Sequence, residues 1–349
     1  MKKIISVIGA RPQFIKHAPI QLELQKYYNT YTIHTGQHYD NNMSNIFFNE
    51  LNIPEPDYLF NLGNVKSQGE QTGLMMKEIE SVLLKEKPDG ILLYGDTNST
   101  LAGALIACKE NIPIIHIEAG LRSFNRQMPE EVNRIITDVF SYLLFCPTQQ
   151  ALTNLKNEGI AHDRIFSTGD VMCDMINLVK NRLNDSTLQP YYFATIHRPY
   201  NTDNQERLHN ILNVLNELDK KVILSIHPRT MTRMESYSLL KSDYKNIDFI
   251  PPTGYIESIS YQNFSSCIIT DSGGIQKEAY ILKKNCITIR SETEWVETLN
   301  GGWNTLVYEG LNDIKQIVKQ KPIEGEYKNQ LYGNGNASKE IVDIIRKFI

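Results

Sequence analysis

Short apolar runs alternate with longer amphipathic stretches from one end of this 349-residue chain to the other. Strands separated by helices pair in parallel, each helix carrying the chain back over the sheet, so the alternation points to an α/β fold on parallel sheets. A first set of strands is expected at residues 4–8, 31–35, 90–94, 112–117, 143–146 and 165–168. Between them lie helical stretches such as 68–84, where Leu74, Met75, Ile79, Val82 and Leu83 recur near helical spacing. A second set is expected at 191–196, 221–226, 247–250, 267–270, 286–289 and 305–308. Such a length suits two domains. The polar segment NRLNDSTLQP at 181–190 ends in proline and is the expected linker, so a domain of residues 1–180 precedes one that starts at 181.

Composition narrows the partners. Hydrophobic residues make up 41% of the chain and charged residues 22%, and the net charge of −4 leaves no basic excess for nucleic acid. No segment reaches membrane-spanning length, and the apolar run after Met1 is too short for a signal peptide. The five cysteines (Cys108, Cys146, Cys173, Cys267, Cys286) lie in or beside apolar runs without C-x-x-C spacing. They are expected to be reduced core residues of a cytoplasmic protein with no metal site.

In a parallel α/β sheet, ligands gather beyond the carboxyl ends of the strands. Polar residues concentrate there: Arg11 after the first strand, Gln37 and His38 after the second, Asp96 after the third and Glu118 after the fourth. In the second half, His197, His227 and Ser272 hold corresponding places, which suggests a cleft between two domains. The segment TDSGGIQKEA (270–279) has the form of an anion cradle. Backbone N–H groups at a helix start are unsatisfied and carry the positive end of the helix dipole, and Gly273 and Gly274 let a phosphate come close. Glu278, one turn further on, would repel that phosphate unless it faces a hydroxyl-bearing group such as a ribose diol. An ordinary strand-to-helix turn is the plainer alternative.

The acidic residues also have two readings. Asp96 in YGDTNST could simply cap a helix. Glu118 in HIEAGLRS follows a strongly apolar strand, where a charge must be used or paired, and Arg122 is a candidate partner. Glu130, Glu131 and Arg134 in MPEEVNR stand at a helix start, where acids favour the dipole for local reasons. Together they offer several carboxylates for proton transfer. His197 and His227, at equivalent strand ends, fit diphosphate ligands or an acid for a departing phosphate, and Arg11 and Lys16 in GARPQFIK could add positive charge. No G-x-G-x-x-G, G-x-x-x-x-G-K-[ST] or G-x-S-x-G motif is present.

Taken in order, GARPQFIK, HTGQHYD, GDTNST, HIEAGLRS, MPEEVNR, ATIHR, HPRT, TDSGGIQKEA and YGNGNAS resemble the non-hydrolysing UDP-N-acetylglucosamine 2-epimerases over nearly the whole chain. The resemblance implies a GT-B fold of two Rossmann-like domains facing a cleft. The final helix, 338–349, would rejoin the first domain, and 181–337 would form the UDP-binding domain. It implies that Ser272, Gly273 and Gly274 hold the diphosphate, that Glu278 holds the ribose, and that Arg11, Lys16 and His227 line the same site. Asp96, Glu118, Glu130 and His197 match the family's catalytic positions. The implied reaction is epimerisation at C2 of a UDP-N-acetylhexosamine in the synthesis of bacterial surface polysaccharide precursors. It passes through UDP and a 2-acetamidoglucal, needs no cofactor or metal, and is carried out by a homodimer.

Two departures bear on the sugar. Many members carry Glu where Lys277 stands, and the segment RSETEWVETLNGGWN at 290–304 resembles the branch containing UDP-2,3-diacetamido-2,3-dideoxyglucuronate 2-epimerases. Lys277 itself is expected to be a solvated helix residue. A GT-B glycosyltransferase or a silent nucleotide-sugar sensor are the competing readings. A transferase would need an acceptor surface, and a sensor would not need the carboxylates.

Overall fold

The computed structural model describes residues 1–349 except 38–47, 49, 52, 63, 64, 66, 184–188, 329 and 330. In the first half, strands β1 (Lys3–Ile8), β2 (Asn29–His34), β3 (Tyr58–Leu59), β4 (Gly90–Tyr94), β5 (Ile114–Ile117), β6 (Leu143–Cys146) and β7 (Ile165–Ser167) form one parallel sheet in the order 3-2-1-4-5-6-7. Helices α1 (Arg11–Leu24), α2 (Gln68–Glu86), α3 (Asn98–Lys109), α4 (Pro129–Phe140), α5 (Gln149–Asn157) and α6 (Val171–Lys180) alternate with them. Strands such as β4 are buried along their whole length and read as continuous apolar runs. Met75, Ile79, Val82 and Leu83 of α2 close one core cluster against Ile5 and Val7 of β1, as the helical spacing implied. The two-residue β3 had no expected counterpart, because it is too short to show a period and only extends the edge of the sheet.

The second half repeats the plan. Strands β8 (Tyr191–Thr195), β9 (Lys221–Ser225), β10 (Ile247–Ile250), β11 (Ile268–Thr270), β12 (Cys286–Thr288) and β13 (Asn304–Leu306) pair in parallel in the order 10-9-8-11-12-13. Between and after them run α7 (Pro199–Thr202), α8 (Gln205–Asn216), α9 (Pro228–Ser236), α10 (Tyr255–Phe264), α11 (Gly273–Ile281), α12 (Ile314–Ile317) and α13 (Ala337–Phe348). Each sheet therefore reverses its winding once, between β1 and β4 in the first and between β8 and β11 in the second, and it is at such a reversal that a crevice for ligands opens. The chain divides into two compact units, Met1–Asn181 with Asn329–Ile349, and Arg182–Lys328, each a Rossmann-like sheet of the GT-B type. No helix among the described residues is long and apolar enough to cross a membrane. Of the five cysteines, all free, Cys108 is exposed and the other four are buried.

The return of the chain to the first unit is fastened at α13, which packs on α1 and α6. Gly169 and Gly333, at φ +81 and +93, cross so closely that a side chain on Gly169 would come 2.9 Å from the backbone of Gly333. Asn336 does not cap α13 with its side chain. The cap comes from Asp174 of α6, which accepts hydrogen bonds from the N–H groups of Ala337 (3.1 Å) and Ser338 (2.7 Å) and from the Ser338 hydroxyl. Burial pushes the Asp174 carboxyl up, and the donors from Ser338 and Ala337 only partly oppose it. Asp174→Ala strands those donors at a helix start, which should cost about 2–3 kcal/mol locally. Amide exchange in α13 should quicken roughly 30- to 150-fold; unchanged protection, measured by hydrogen–deuterium exchange, would show that packing alone holds the helix.

Candidate active site

In the first unit, the side chains gather at the carboxyl ends of β1, β4 and β5. The turn after β1 is set by Gln13, fully buried, whose Oε1 accepts from the N–H groups of Gly9 (2.8 Å) and Ala10 (3.1 Å). Its Nε2 donates to the Tyr94 carbonyl at 2.9 Å and to Thr100 Oγ1 at 3.0 Å, which ties the start of α1 to the end of β4. Arg11 opens α1, with Pro12 next to it in the first turn, where no backbone N–H is needed. Lys16, further along the same helix, is buried, and its ammonium pairs with Oε2 of Glu118. Glu118 adopts φ +69, which turns the chain sharply off β5. Gly95, at φ +62, lies so close that a side chain there would come 3.3 Å from Glu118 Oε2 and 3.6 Å from Lys16 Nζ. The expected alternative partner, Arg122, instead holds Asp138 at 2.7 Å and Glu158 at 2.6 Å.

Asp96 is not the helix cap. Thr97 caps α3 by accepting from the Thr100 N–H, and the Asp96 carboxylate pairs with Arg134 of α4. Burial pushes the Asp96 carboxyl above the usual aspartate range; Arg134 and Lys16 pull it down, and the nearby Glu118 pushes it further up. The Asn133 side chain holds the Asp96 carbonyl at 2.9 Å. Behind this turn, the ring of buried His116 lies 2.7 Å from Asp138 Oδ1 and 2.8 Å from the Gly95 carbonyl.

The two acids at the start of α4 have separate roles. Glu131 is buried, accepts from the N–H groups of Ser123 and Phe124 at 2.9 Å each, and binds Arg134 at 2.8 Å, so it fixes the preceding loop. Glu130 is exposed. Gln37 is structural, accepting from the N–H and hydroxyl of Ser99 at 3.0 and 2.7 Å, while His38 lies outside the described residues.

In the second unit, the ends of β8 and β11 meet at the winding reversal. Asp271, fully buried, accepts from the backbone N–H groups of His197 and Arg198, from the Asn201 amide at 3.0 Å, and from His197 Nδ1 at 2.9 Å. Burial alone would push its carboxyl up; the bonds from His197, Asn201 and Arg198 outweigh it and hold the group below the usual range. His197 is thereby oriented with Nδ1–H on the carboxylate and Nε2 turned away from it. His227 caps α9 through Nδ1, which accepts from the Arg229 N–H at 3.1 Å, so Nε2 carries its proton. The two imidazoles lie 5.3 Å apart, centre to centre.

Ser272 stands at the N-cap of α11 without using its side chain as a cap. A side chain built on Gly274 would meet nothing nearer than 3.9 Å, so the space above the first turn is open. Glu278 is buried and accepts from the Gln262 amide at 2.7 Å. Lys277 is not solvated: 2% exposed, it places its ammonium 4.1 Å from the centre of the Trp295 ring. Residue type alone overlooked Asp271, although it stands in the conspicuous TDSGG segment, and placed Arg134 at its helix start without its partner Asp96, 38 residues away.

The fold and the two groups of side chains define a two-unit α/β protein with an open helix start beside two histidines in one unit and two carboxylates, each paired with a cation, in the other. Residues 21–346 match the family described as UDP-N-acetylglucosamine 2-epimerase. A UDP-N-acetylglucosamine 2-epimerase homolog of Methanococcus maripaludis is 49% identical, and a UDP-2,3-diacetamido-2,3-dideoxy-D-glucuronate 2-epimerase of Pseudomonas aeruginosa is 45% identical, with 99% of both chains covered in each case. The crystal structure of the Methanocaldococcus jannaschii UDP-GlcNAc 2-epimerase in complex with UDP-GlcNAc and UDP superposes with a TM-score of 0.87 at 44% identity, covering 99% of this chain and 100% of that one. The chain belongs to the UDP-N-acetylglucosamine 2-epimerase family.

Glu118→Gln removes the anion that pushes Asp96 up and leaves Lys16 to pull it down, so the Asp96 titration should move to lower pH. Carboxyl-carbon NMR across the pH range checks this; an unmoved or higher midpoint would mean the two groups do not interact.

Proposed function

We propose that this protein interconverts a UDP-N-acetylhexosamine and its C2 epimer, with UDP-N-acetylglucosamine and UDP-N-acetylmannosamine as the pair. The observation that carries the reading is the contrast between two neighbouring carboxylates, one paired with an ammonium and one, beside Arg134, raised above the usual aspartate range by burial and by the other. The C2 hydrogen of the sugar has no adjacent carbonyl to acidify it, so its loss must accompany breaking of the C1–O bond to UDP. Glu118 takes the C2 proton, the C2–C1 double bond forms, and UDP leaves with the bonding pair. Asp96 then protonates C2 from the other face while UDP re-adds at C1, and the reverse reaction exchanges the two roles.

In the same reading Ser272, Gly273, Gly274, His227 and Arg11 hold the diphosphate, His197 faces the departing phosphate, Glu278 takes the ribose, and the exposed Glu130 serves proton exchange. Cytoplasmic location, a homodimer and supply of a surface-polysaccharide precursor complete the proposal on the family resemblance.

Turnover in heavy water should place deuterium at C2 of the product, seen by proton NMR without any acceptor; retention of the original hydrogen would remove the glucal route. Asp96→Asn and Glu118→Gln should each lower kcat by about 100-fold or more with UDP binding changed far less. Glu278→Ala should weaken UDP binding first.

A second sugar is favoured by the 45% identity to the diacetamido-glucuronate enzyme and by the EWVE segment. Lys277 is buried against Trp295, so it does not stand as an exposed cation for a uronate. The N-acetylglucosamine nucleotide should therefore have the higher kcat/KM. A preference of about tenfold for the uronate, near 1.4 kcal/mol, would reverse the choice.

A further inference from the structure

The start of α11 already faces an anion. A methyl group on Gly273 would overlap Oε1 of Glu294 and come 3.6 Å from Nη1 of Arg290. Glu294 Oε2 meets Arg290 Nη2 at 3.0 Å. Arg290 is about nine-tenths buried, and its Nη1 has no hydrogen-bond partner among the described residues. That unused donor points at the first turn of the helix, where backbone N–H groups also lack intrahelical acceptors.

The backbone around Glu294 is held in place. Thr293 donates to Gln276 of α11 at 2.7 Å, the Trp295 N–H donates to Thr293 Oγ1 at 3.1 Å, and the Trp295 ring lies beneath the Lys277 ammonium. The carboxylate can leave by rotation of its own side chain, whereas the loop cannot follow it without breaking these contacts.

We propose that Glu294 is a resident anion of the cradle, which gives way when a diphosphate arrives and releases Arg290 to bind it. The inference rests on the reading that the Ser272–Gly274 turn holds the diphosphate of UDP. A carboxylate and a phosphate cannot share one helix start without strong repulsion, and Arg290 gains a two-pronged contact with phosphate by exchanging partners. Without nucleotide, Glu294 keeps the buried guanidinium neutralised. With it, the phosphate takes over that role. Affinity for UDP is therefore set by a competition inside the protein as well as by the cradle itself.

Calorimetric titration of the full chain with UDP and, separately, with uridine tests this, because uridine carries no phosphate. Glu294→Gln should tighten UDP about tenfold, and Arg290→Met should weaken it at least about tenfold, with uridine within about twofold of wild type for both. Arg290→Lys, which retains one charge, should weaken UDP less than Arg290→Met and serves in its place if the methionine variant does not fold. Unchanged or weaker UDP binding in Glu294→Gln, or equal changes for uridine, would overturn the exchange. Wild-type protein that binds UDP no better than uridine would instead overturn the diphosphate reading of the cradle, and the inference with it.

Discussion

A carboxylate can be buried beside a parallel sheet only if donors meet its oxygens, and that requirement organises both units. Asp271, fully buried, and Asp96, about one-third exposed, show how the neighbours decide it. Both are pushed up by burial, but Asp271 is surrounded by two backbone N–H groups, an amide and an imidazole, and ends below the usual aspartate range. Asp96 has the Arg134 cation on one side and the Glu118 anion on another, and ends above it. The number and sign of the neighbours hold one acid below the usual range and leave the other above it.

The support extends below the Asp96 turn. The chain Glu158–Arg122–Asp138–His116 ends on the Gly95 carbonyl, immediately before Asp96. None of its members needs to touch a substrate to matter, since together they fix a turn whose glycine has no side chain of its own to fix it. Lys277 and Trp295 form another matched pair. An aromatic face is electronegative, so a buried glutamate at 277 would sit badly over this tryptophan. The two departures noted in the sequence are thus one structural feature.

Much of the fold was legible because apolar runs in a parallel sheet are continuous and end abruptly. The polar residues that end them, Asp96, Glu118, His197 and Ser272, could be placed at the correct edge of each sheet for the same reason. What could not be read was which way each side chain turns once a helix has rotated into place. Arg122 stands near Glu118 in the sequence yet binds Asp138 and Glu158, while Lys16, 102 residues away, supplies the partner. Thr97 takes the capping role open to its neighbour Asp96, because its hydroxyl reaches the Thr100 N–H. Glu130 and Glu131 are adjacent and chemically alike, and only the turn of α4 separates the exposed one from the buried one. Lys277 looked like surface because a lone lysine usually is, and the aromatic ring that shelters it lies 18 residues further on.

The Asp174 cap on α13 has a consequence for biosynthesis. The second unit is one uninterrupted segment, Arg182–Lys328, and all of it emerges from the ribosome before the last helix of the first unit exists. During that interval the faces of α1 and α6 that α13 covers remain open, and Asp174 has no helix to cap. The first unit must wait, incomplete, while its insert folds, and it is finished last by a contact that joins the two extremes of the chain. A stalled or truncated product would thus retain a folded insert but expose an apolar flank, which is the kind of surface that chaperones and proteases recognise.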